Sequence, residues 1–429
     1  LLVPLGAAHA GSVNLKTGFA QPVLPEGDGG RAYLRVSLAG LDPDGEGRRA
    51  AANVVLVIDK SGSMKGERID QAKEAALMAV EHLGDRDVLG VVAYSDSAYV
   101  LSPASRLRNT DEVRRDIRGL QADGRTALYA GVSQGIRELR PFADPYAVNR
   151  IILLSDGLAN VGPSTPQELE GLGREAAQQD ISITTIGLGL GYNEDLMTRL
   201  ALASDGNHAF VESPDELVDI FNQEFGDVLS AIGSDVDIII DCPDGFRPMR
   251  ALGRDARIEG QRVKVNLSKI YGKQEKYVVL ELDVAKDRMR AAPQAAKVEV
   301  SYTDLASKEK KRLSGEARIR FTKDASEAKA SVDSEVMASV TRQIATENNE
   351  KAVALRDSGK VEEAKKALKD NADYLNKQAD ALPGAAAAPL RELSKKNTTD
   401  ADNLSGAEWN RQRKSMRAQQ YKDKTQQNY

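Results

Sequence analysis

The chain has 429 residues, with 59 Lys or Arg against 64 Asp or Glu, and its formal charge of −5 excludes a global basic field for nucleic acid or an anionic membrane. One cysteine, Cys242, excludes an internal disulfide, and three histidines leave little for histidine-based metal sites or for Ser-His and Cys-His catalysis. At roughly 100 to 200 residues per domain, the length predicts two to four domains.

Residues 1–10 form an apolar run ending in Ala8-His9-Ala10, the small-x-small pattern of a signal-peptidase site. They are expected to be the remnant of a leader, which makes the protein exported: periplasmic, secreted or on the cell surface. No later stretch reaches the roughly 20 apolar residues of a membrane helix, so no transmembrane segment is expected. Over residues 11–50, Val13 to Phe19 and Ala32 to Leu38 read as strands. A two-stranded hairpin is marginal alone, so these strands are predicted to join a later β-sandwich.

Residues 51–232 alternate strand-like and helix-like segments, the pattern of a doubly wound, Rossmann-like α/β domain. Val54-Val55-Leu56-Val57-Ile58 reads as a central strand buried on both faces and ends at Asp59. Ile69, Ala72, Ala76, Leu77, Val80 and Leu83 recur at helical spacing and predict the first crossover helix over Lys65 to Leu83. Val88 to Tyr94 and Ala98 to Leu101 are predicted strands, followed by helices near 110–120 and 127–140. Ile151-Ile152-Leu153-Leu154 is another buried strand, running toward Asp156. A helix at 167–179, a strand at Ile181 to Ile186, a helix at 193–203, a short strand at His208 to Val211 and a helix at 215–230 complete the domain, whose ligands should bind beyond the carboxyl ends of the strands.

Residues 233–325 offer short alternating segments that predict an antiparallel β-sandwich, into which the α/β domain is inserted or by which it is flanked. Residues 326–382 read as a helical hairpin with Gly359 at its turn. The final segment, 383–429, reads as a linker around Pro383-Gly384 followed by a polar tail, with Arg411, Arg413, Lys414, Arg417, Lys422 and Lys424 against Asp423. Cys242, between Asp241 and Pro243 at the end of an apolar run, is expected to be a packed residue and not a reactive thiol.

The chemistry concentrates in Asp59-Lys60-Ser61-Gly62-Ser63, at the junction of the first strand and its helix. One carboxylate and two hydroxyls alternate there, hard oxygen ligands suited to Mg²⁺, or to Mn²⁺ or Ca²⁺, and too few to close a shell. Thr126 in Asp123-Gly124-Arg125-Thr126 and Asp156 in Ser155-Asp156-Gly157 are the candidates for the rest. The alternative is that Ser61 and Ser63 only cap a helix while Asp59 and Asp156 satisfy backbone amides.

These three elements, in this order, resemble the D-x-S-x-S, Thr and Asp-Gly motifs of von Willebrand factor A domains, over about residues 53 to 230. The resemblance implies a metal-ion-dependent adhesion site at Asp59, Ser61, Ser63, Thr126 and Asp156, completed by an Asp or Glu of a protein partner. It departs from many relatives at Arg125, which stands where they have Gly and is expected to reach over the metal face. Met249 to Gly253 and Tyr277 to Val284 look like bacterial exported proteins of this group, and more distantly like inter-alpha-trypsin inhibitor heavy chains.

No enzyme is expected. Gly187-Leu188-Gly189-Leu190-Gly191 is not G-x-G-x-x-G, no Walker motif is present, and two carboxylates with hydroxyls lack the base of a metal hydrolase. The function implied is divalent-metal-dependent protein binding, in adhesion or assembly. A scaffold or assembly factor of an envelope complex, with a lapsed metal site and binding through its C-terminal helices, is the alternative. The oligomeric state is open.

Overall fold

The computed structural model describes residues 6–10, 12–27, 30–41, 49–108, 110–285, 293–404 and 408–427. The first half of the expected leader, residues 1–5, lies outside the described residues. The chain begins with strands β1 (Gly6–Ala10), β2 (Val13–Phe19), β3 (Val23–Pro25) and β4 (Gly30–Gly40). β1 pairs antiparallel with β2, from Gly6 opposite Thr17 to Ala10 opposite Val13.

The chain resolves into two compact units, one built from its beginning and its C-terminal half, the other essentially residues 43–234. The second unit contains, in order, β5 (Ala52–Asp59), α1 (Glu67–His82), β6 (Val88–Tyr94), β7 (Ala98–Arg106), α2 (Thr110–Arg118), α3 (Leu128–Leu139), β8 (Val148–Ser155), α4 (Pro166–Ala177), β9 (Ser182–Leu188), α5 (Glu194–Ala203), β10 (His208–Val211) and α6 (Leu217–Leu229). Its six strands lie in the order β10-β9-β8-β5-β6-β7, all parallel except β7. The four inner strands are buried along their whole length, because helices cover both faces. Val55, Val57, Ile151 and Leu153 meet Val132 and Ile136 of α3 and Leu169 and Leu172 of α4 on one face. On the other face a buried polar link replaces oil: Arg150 of β8 lies 3.4 Å from Glu224 of α6, and Asn207 donates to the same carboxylate at 2.8 Å.

The entry to β5 is pinned by Asp87, which is wholly buried. It accepts from Arg49 at 2.9 and 2.6 Å, from the Ala52 amide at 2.9 Å and from the Gly84 amide at 2.7 Å. Burial alone would push its carboxyl up; the Arg49 guanidinium and the two amides outweigh burial and hold it below its ordinary value.

The other unit adds β11 (Ala231–Asp241), β12 (Phe246–Leu252), β13 (Arg257–Glu259), β14 (Arg262–Tyr271), β15 (Glu275–Val284), β16 (Gln294–Asp304) and β17 (Lys310–Thr322). One sheet runs β1-β2-β4-β15-β12 and the other β13-β14-β11-β16-β17-β3. The N-terminal strands therefore do share sheets with the later ones, β4 pairing with β15 over ten residues and β3 with β17. Phe246 of the first sheet stacks 6.1 Å from Phe321 of the second, so the two sheets face each other across an aromatic core.

Helices α7 (Ala325–Ala330), α8 (Ser334–Asp357), α9 (Val361–Asp380), α10 (Gly384–Asp402) and α11 (Trp409–Thr425) follow. Val336 and Val340 of α8 cover Leu252, Tyr277 and Val279 on the outer face of the first sheet, which is why β15 is buried on both sides. Gly359, at φ 82°, makes the turn between α8 and α9.

Residues 383–429 are not a linker and tail over their described part. Ala387 and Leu390 of α10 pack with Ala345, Leu375 and Ala379, and Met416 of α11 packs with Val353 and Leu368. The reason the apolar pattern fails here is that α11 buries mainly polar side chains. Gln420 donates to Asn349 at 2.6 Å, Asn349 to Asn397 at 2.9 Å, and Asn371 to Asn397 at 3.2 Å, an amide network joining four helices inside the bundle.

Two outcomes follow for stability. Leu390→Ala is expected to lower unfolding free energy by roughly 2 to 5 kcal/mol in denaturant titration, whereas a solvated linker would not respond. Asp87→Asn is expected to remove part of the acid sensitivity of the α/β unit: the depressed carboxyl contributes fully above about pH 4, and this contribution is lost as pH falls through the folded value. Thermal melts of both proteins between pH 3 and 7 should therefore converge toward the acid end.

Candidate metal centre

Parallel pairing of β5 with β8 sets Ile58 opposite Leu154, so the carboxylates that follow, Asp59 and Asp156, emerge at one end of the sheet. The loops beyond them are sewn together by main-chain bonds. Lys60 donates to the Tyr94 carbonyl at 2.9 Å, Asp123 to the Lys60 carbonyl at 2.6 Å, and Gly62 to the Gly124 carbonyl at 2.9 Å. These bonds bring the segment carrying Thr126 against the segment carrying Ser61 and Ser63. Asn160 completes the seam, accepting from the Thr126 amide at 2.9 Å while its own amide donates to the Thr126 carbonyl at 3.1 Å.

All five sequence-predicted residues lie in this seam. Asp59, Ser61, Thr126 and Asp156 are at most 3 % exposed, and Ser63 is exposed. The Ser61 and Ser63 hydroxyls stand 3.0 Å apart, and Ser63 donates to Asp156 Oδ1 at 2.6 Å. A side chain at Gly157 would place its Cβ 3.2 Å from Thr126 Oγ1 and 3.4 Å from Ser63 Oγ, so this glycine leaves open the space that both hydroxyls face. The donors are hard and uncharged apart from two carboxylates, and they fit a Mg²⁺-like cation that keeps several waters. Among the described residues no cluster of three or more His, Cys, Asp or Glu offers a rival centre.

Asp59 is held from behind. Its Oδ1 accepts the Ser61 amide at 2.8 Å, and its Oδ2 accepts the Ser155 hydroxyl at 2.8 Å and the Tyr94 hydroxyl at 3.3 Å. Its carboxyl is raised to about 6: burial pushes it up, the bonds from Ser61 and Ser155 pull it part of the way back, and the nearby Asp156 charge adds to the rise. A buried acid in this condition favours a nearby positive charge.

Several residues of the seam carry no mark in the sequence pattern. Ser155 and Tyr94 orient Asp59, Asn160 bridges two loops, and Arg68 of α1 donates through Nη1 to Asp156 Oδ2 at 2.7 Å. Arg125, expected over the metal face, is instead exposed and donates through Nε to Asp96 Oδ1 at 2.8 Å, because that carboxylate sits on the adjoining loop and attracts it. The Gly187 to Gly191 segment has a packing role. A Cβ at Gly191 would lie 2.5 Å from the Asp156 carbonyl, and one at Gly189 would lie 3.3 Å from the Arg68 guanidinium. Cys242 belongs to the other unit: buried, with its thiol pushed up to about 12 by burial and by Asp241, it is inert packing.

The von Willebrand factor type A domain model matches residues 53–223. An uncharacterized protein of Synechocystis is 31% identical over 192 residues, 45% of this chain and 45% of that protein. The uncharacterized protein YfbK of Escherichia coli is 27% identical over 230 residues, 53% of this chain and 40% of that protein. The matched stretch thus spans less than half the length of either relative. Among solved structures, the von Willebrand factor type A protein from Catenulispora acidiphila superposes with a TM-score of 0.72 over 99% of both chains, at 15% identity, a likeness of fold. Residues 53–223 thus form a von Willebrand factor type A domain, and the loops that carry Asp59, Thr126 and Asp156 belong to it.

Proposed function

We propose that the chain binds a protein ligand through a divalent cation held by Asp59, Ser61, Ser63, Thr126 and Asp156, with an Asp or Glu of the ligand completing the shell. Domains of this family often mediate metal-dependent protein-protein interaction and are generally not enzymes. The observation that carries the reading is that two buried carboxylates and three hydroxyls, from the loops after β5 and β8 and the loop between α2 and α3, meet in one seam: Ser63 contacts Ser61 and Asp156, Ser63 and Thr126 flank Gly157, and Asp59 accepts the Ser61 amide. The bound ion would be Mg²⁺, Mn²⁺ or Ca²⁺ and would supply a hard positive charge for the partner's carboxylate.

The chain's own residues set the terms of that contact. Ser155 and Tyr94 keep Asp59 from rotating, Ser63 stands at the exposed rim where a partner arrives, and the Asn160 seam keeps Thr126 level with it. Adhesion and assembly both use this chemistry. Among the described residues no helix is long and apolar enough to cross a membrane. One observation favours the second reading, a lapsed site with binding through the C-terminal helices: the Arg68 contact already neutralises one of the two carboxylates.

Calorimetric titration of the metal-stripped full chain with Mg²⁺, Mn²⁺ and Ca²⁺ is the direct test. Saturable binding is expected, weakened at least tenfold by Asp59→Ala and by Asp156→Ala. At 100 times Kd the ion should stabilise the wild type by about 2.7 kcal/mol in melts. A carboxylate-bearing partner should be retained on wild-type resin with the ion and lost in chelator; retention in chelator would support the lapsed-site reading instead. Gly157→Ala is expected to weaken ion binding on the order of tenfold with an unchanged circular dichroism spectrum, since its Cβ crowds the Thr126 and Ser63 hydroxyls. Undiminished affinity would remove Gly157 and the space beside it from the centre.

A further inference from the structure

We propose that Arg68 is a tethered counter-cation of this centre, which must release Asp156 Oδ2 for a divalent ion to bind and thereby sets the ion affinity of the site. The proposal rests on the metal reading above. Its basis is the division of labour between the two Asp156 oxygens. Oδ1 accepts from Ser63, within the hydroxyl cluster, while Oδ2 accepts from the Arg68 guanidinium at 2.7 Å. The Asp156 side chain is 0 % exposed and that of Arg68 is 38 % exposed, so the acid is fixed and the cation stands at the rim.

The contact is built for exchange more than for permanence. It is single-ended, with Nη1 alone reaching Asp156 and the same nitrogen 3.3 Å from the Ser63 carbonyl, whereas a durable Arg-carboxylate pair is usually a two-bond fork. Gly189 lies beside the guanidinium at φ 68°, where a Cβ would come within 3.3 Å of Nη2, and the loop therefore presents no side chain to obstruct it. Two acids and one arginine leave a net charge of one negative in the metal-free centre. Displacing the guanidinium restores the second negative charge to the incoming ion, and the ion must outcompete a charge that cannot diffuse away. Even under water-like screening, a unit charge a few ångströms from a divalent ion changes its affinity on the order of tenfold.

The test compares wild type, Arg68→Gln and Arg68→Lys as metal-stripped full chains, titrated with Mg²⁺ and Mn²⁺ by calorimetry and melted in chelator and in saturating Mn²⁺. Arg68→Met serves as a second neutral variant should the amide misfold. The expected result is about tenfold tighter binding in Arg68→Gln, affinity within about threefold of wild type in Arg68→Lys, and a lower Tm for Arg68→Gln in chelator that recovers in Mn²⁺. Binding seen only in the neutral variants would also support the proposal, with the arginine closing the site outright. Equal or weaker binding in Arg68→Gln, against a wild type that binds, would overturn the counter-cation role and leave the metal centre standing. Silence in all variants would overturn both.

Discussion

The arrangement depends first on parallel pairing around a strand that is buried on both faces. Because β5 and β8 run the same way and in register from Ala52 opposite Val148 to Ile58 opposite Leu154, both leave the sheet at the same edge and both release a carboxylate there. An antiparallel neighbour would have sent the second acid to the opposite end. The continuous apolar run Val54 to Ile58 of β5 permits this, since helices on either side need apolar residues at every position and not at alternate ones.

Burial at that edge creates an electrostatic problem, answered differently at each acid. Asp59 has hydrogen-bond donors from Ser61, Ser155 and Tyr94, and its carboxyl nevertheless rises to about 6 because burial outweighs them. Asp156 has a hydroxyl on one oxygen and a guanidinium on the other. The pair is thus asymmetric, one acid satisfied by neutral dipoles and the other by a charge on a long stem. That asymmetry is what a binding centre dependent on an added cation would exploit, and it is lost if either acid is moved off the strand end.

The unit built from the chain's beginning and its C-terminal half solves a different problem. Its first sheet is buried on both faces, by the partner sheet through Phe246 and Phe321 and by α8 through Val336 and Val340. The helices beyond α8 then pack on one another through amides, with Asn349, Asn371, Asn397 and Gln420 linked in one network. Buried amides must be satisfied in one register, so such an interior specifies a unique packing where an all-apolar one would tolerate sliding.

By itself the sequence determined the α/β alternation, the carboxylates where β5 and β8 end, the five residues of the proposed centre and the strand-rich texture on both sides of the inserted domain. These are local facts, written in periodicity and in motifs a few residues long. Tertiary structure alone decided the rest. Arg68 reaches Asp156 across 88 positions, Asn160 locks Thr126 across 34, and Arg125 turns away to Asp96. The helices α10 and α11 escaped the pattern because much of what they bury is polar, Asn397 and Gln420 meeting Asn349 from 48 and 71 residues away. A polar side chain reads as solvated until its partner is known, and partners at that separation are set by the fold and not by neighbours in the chain.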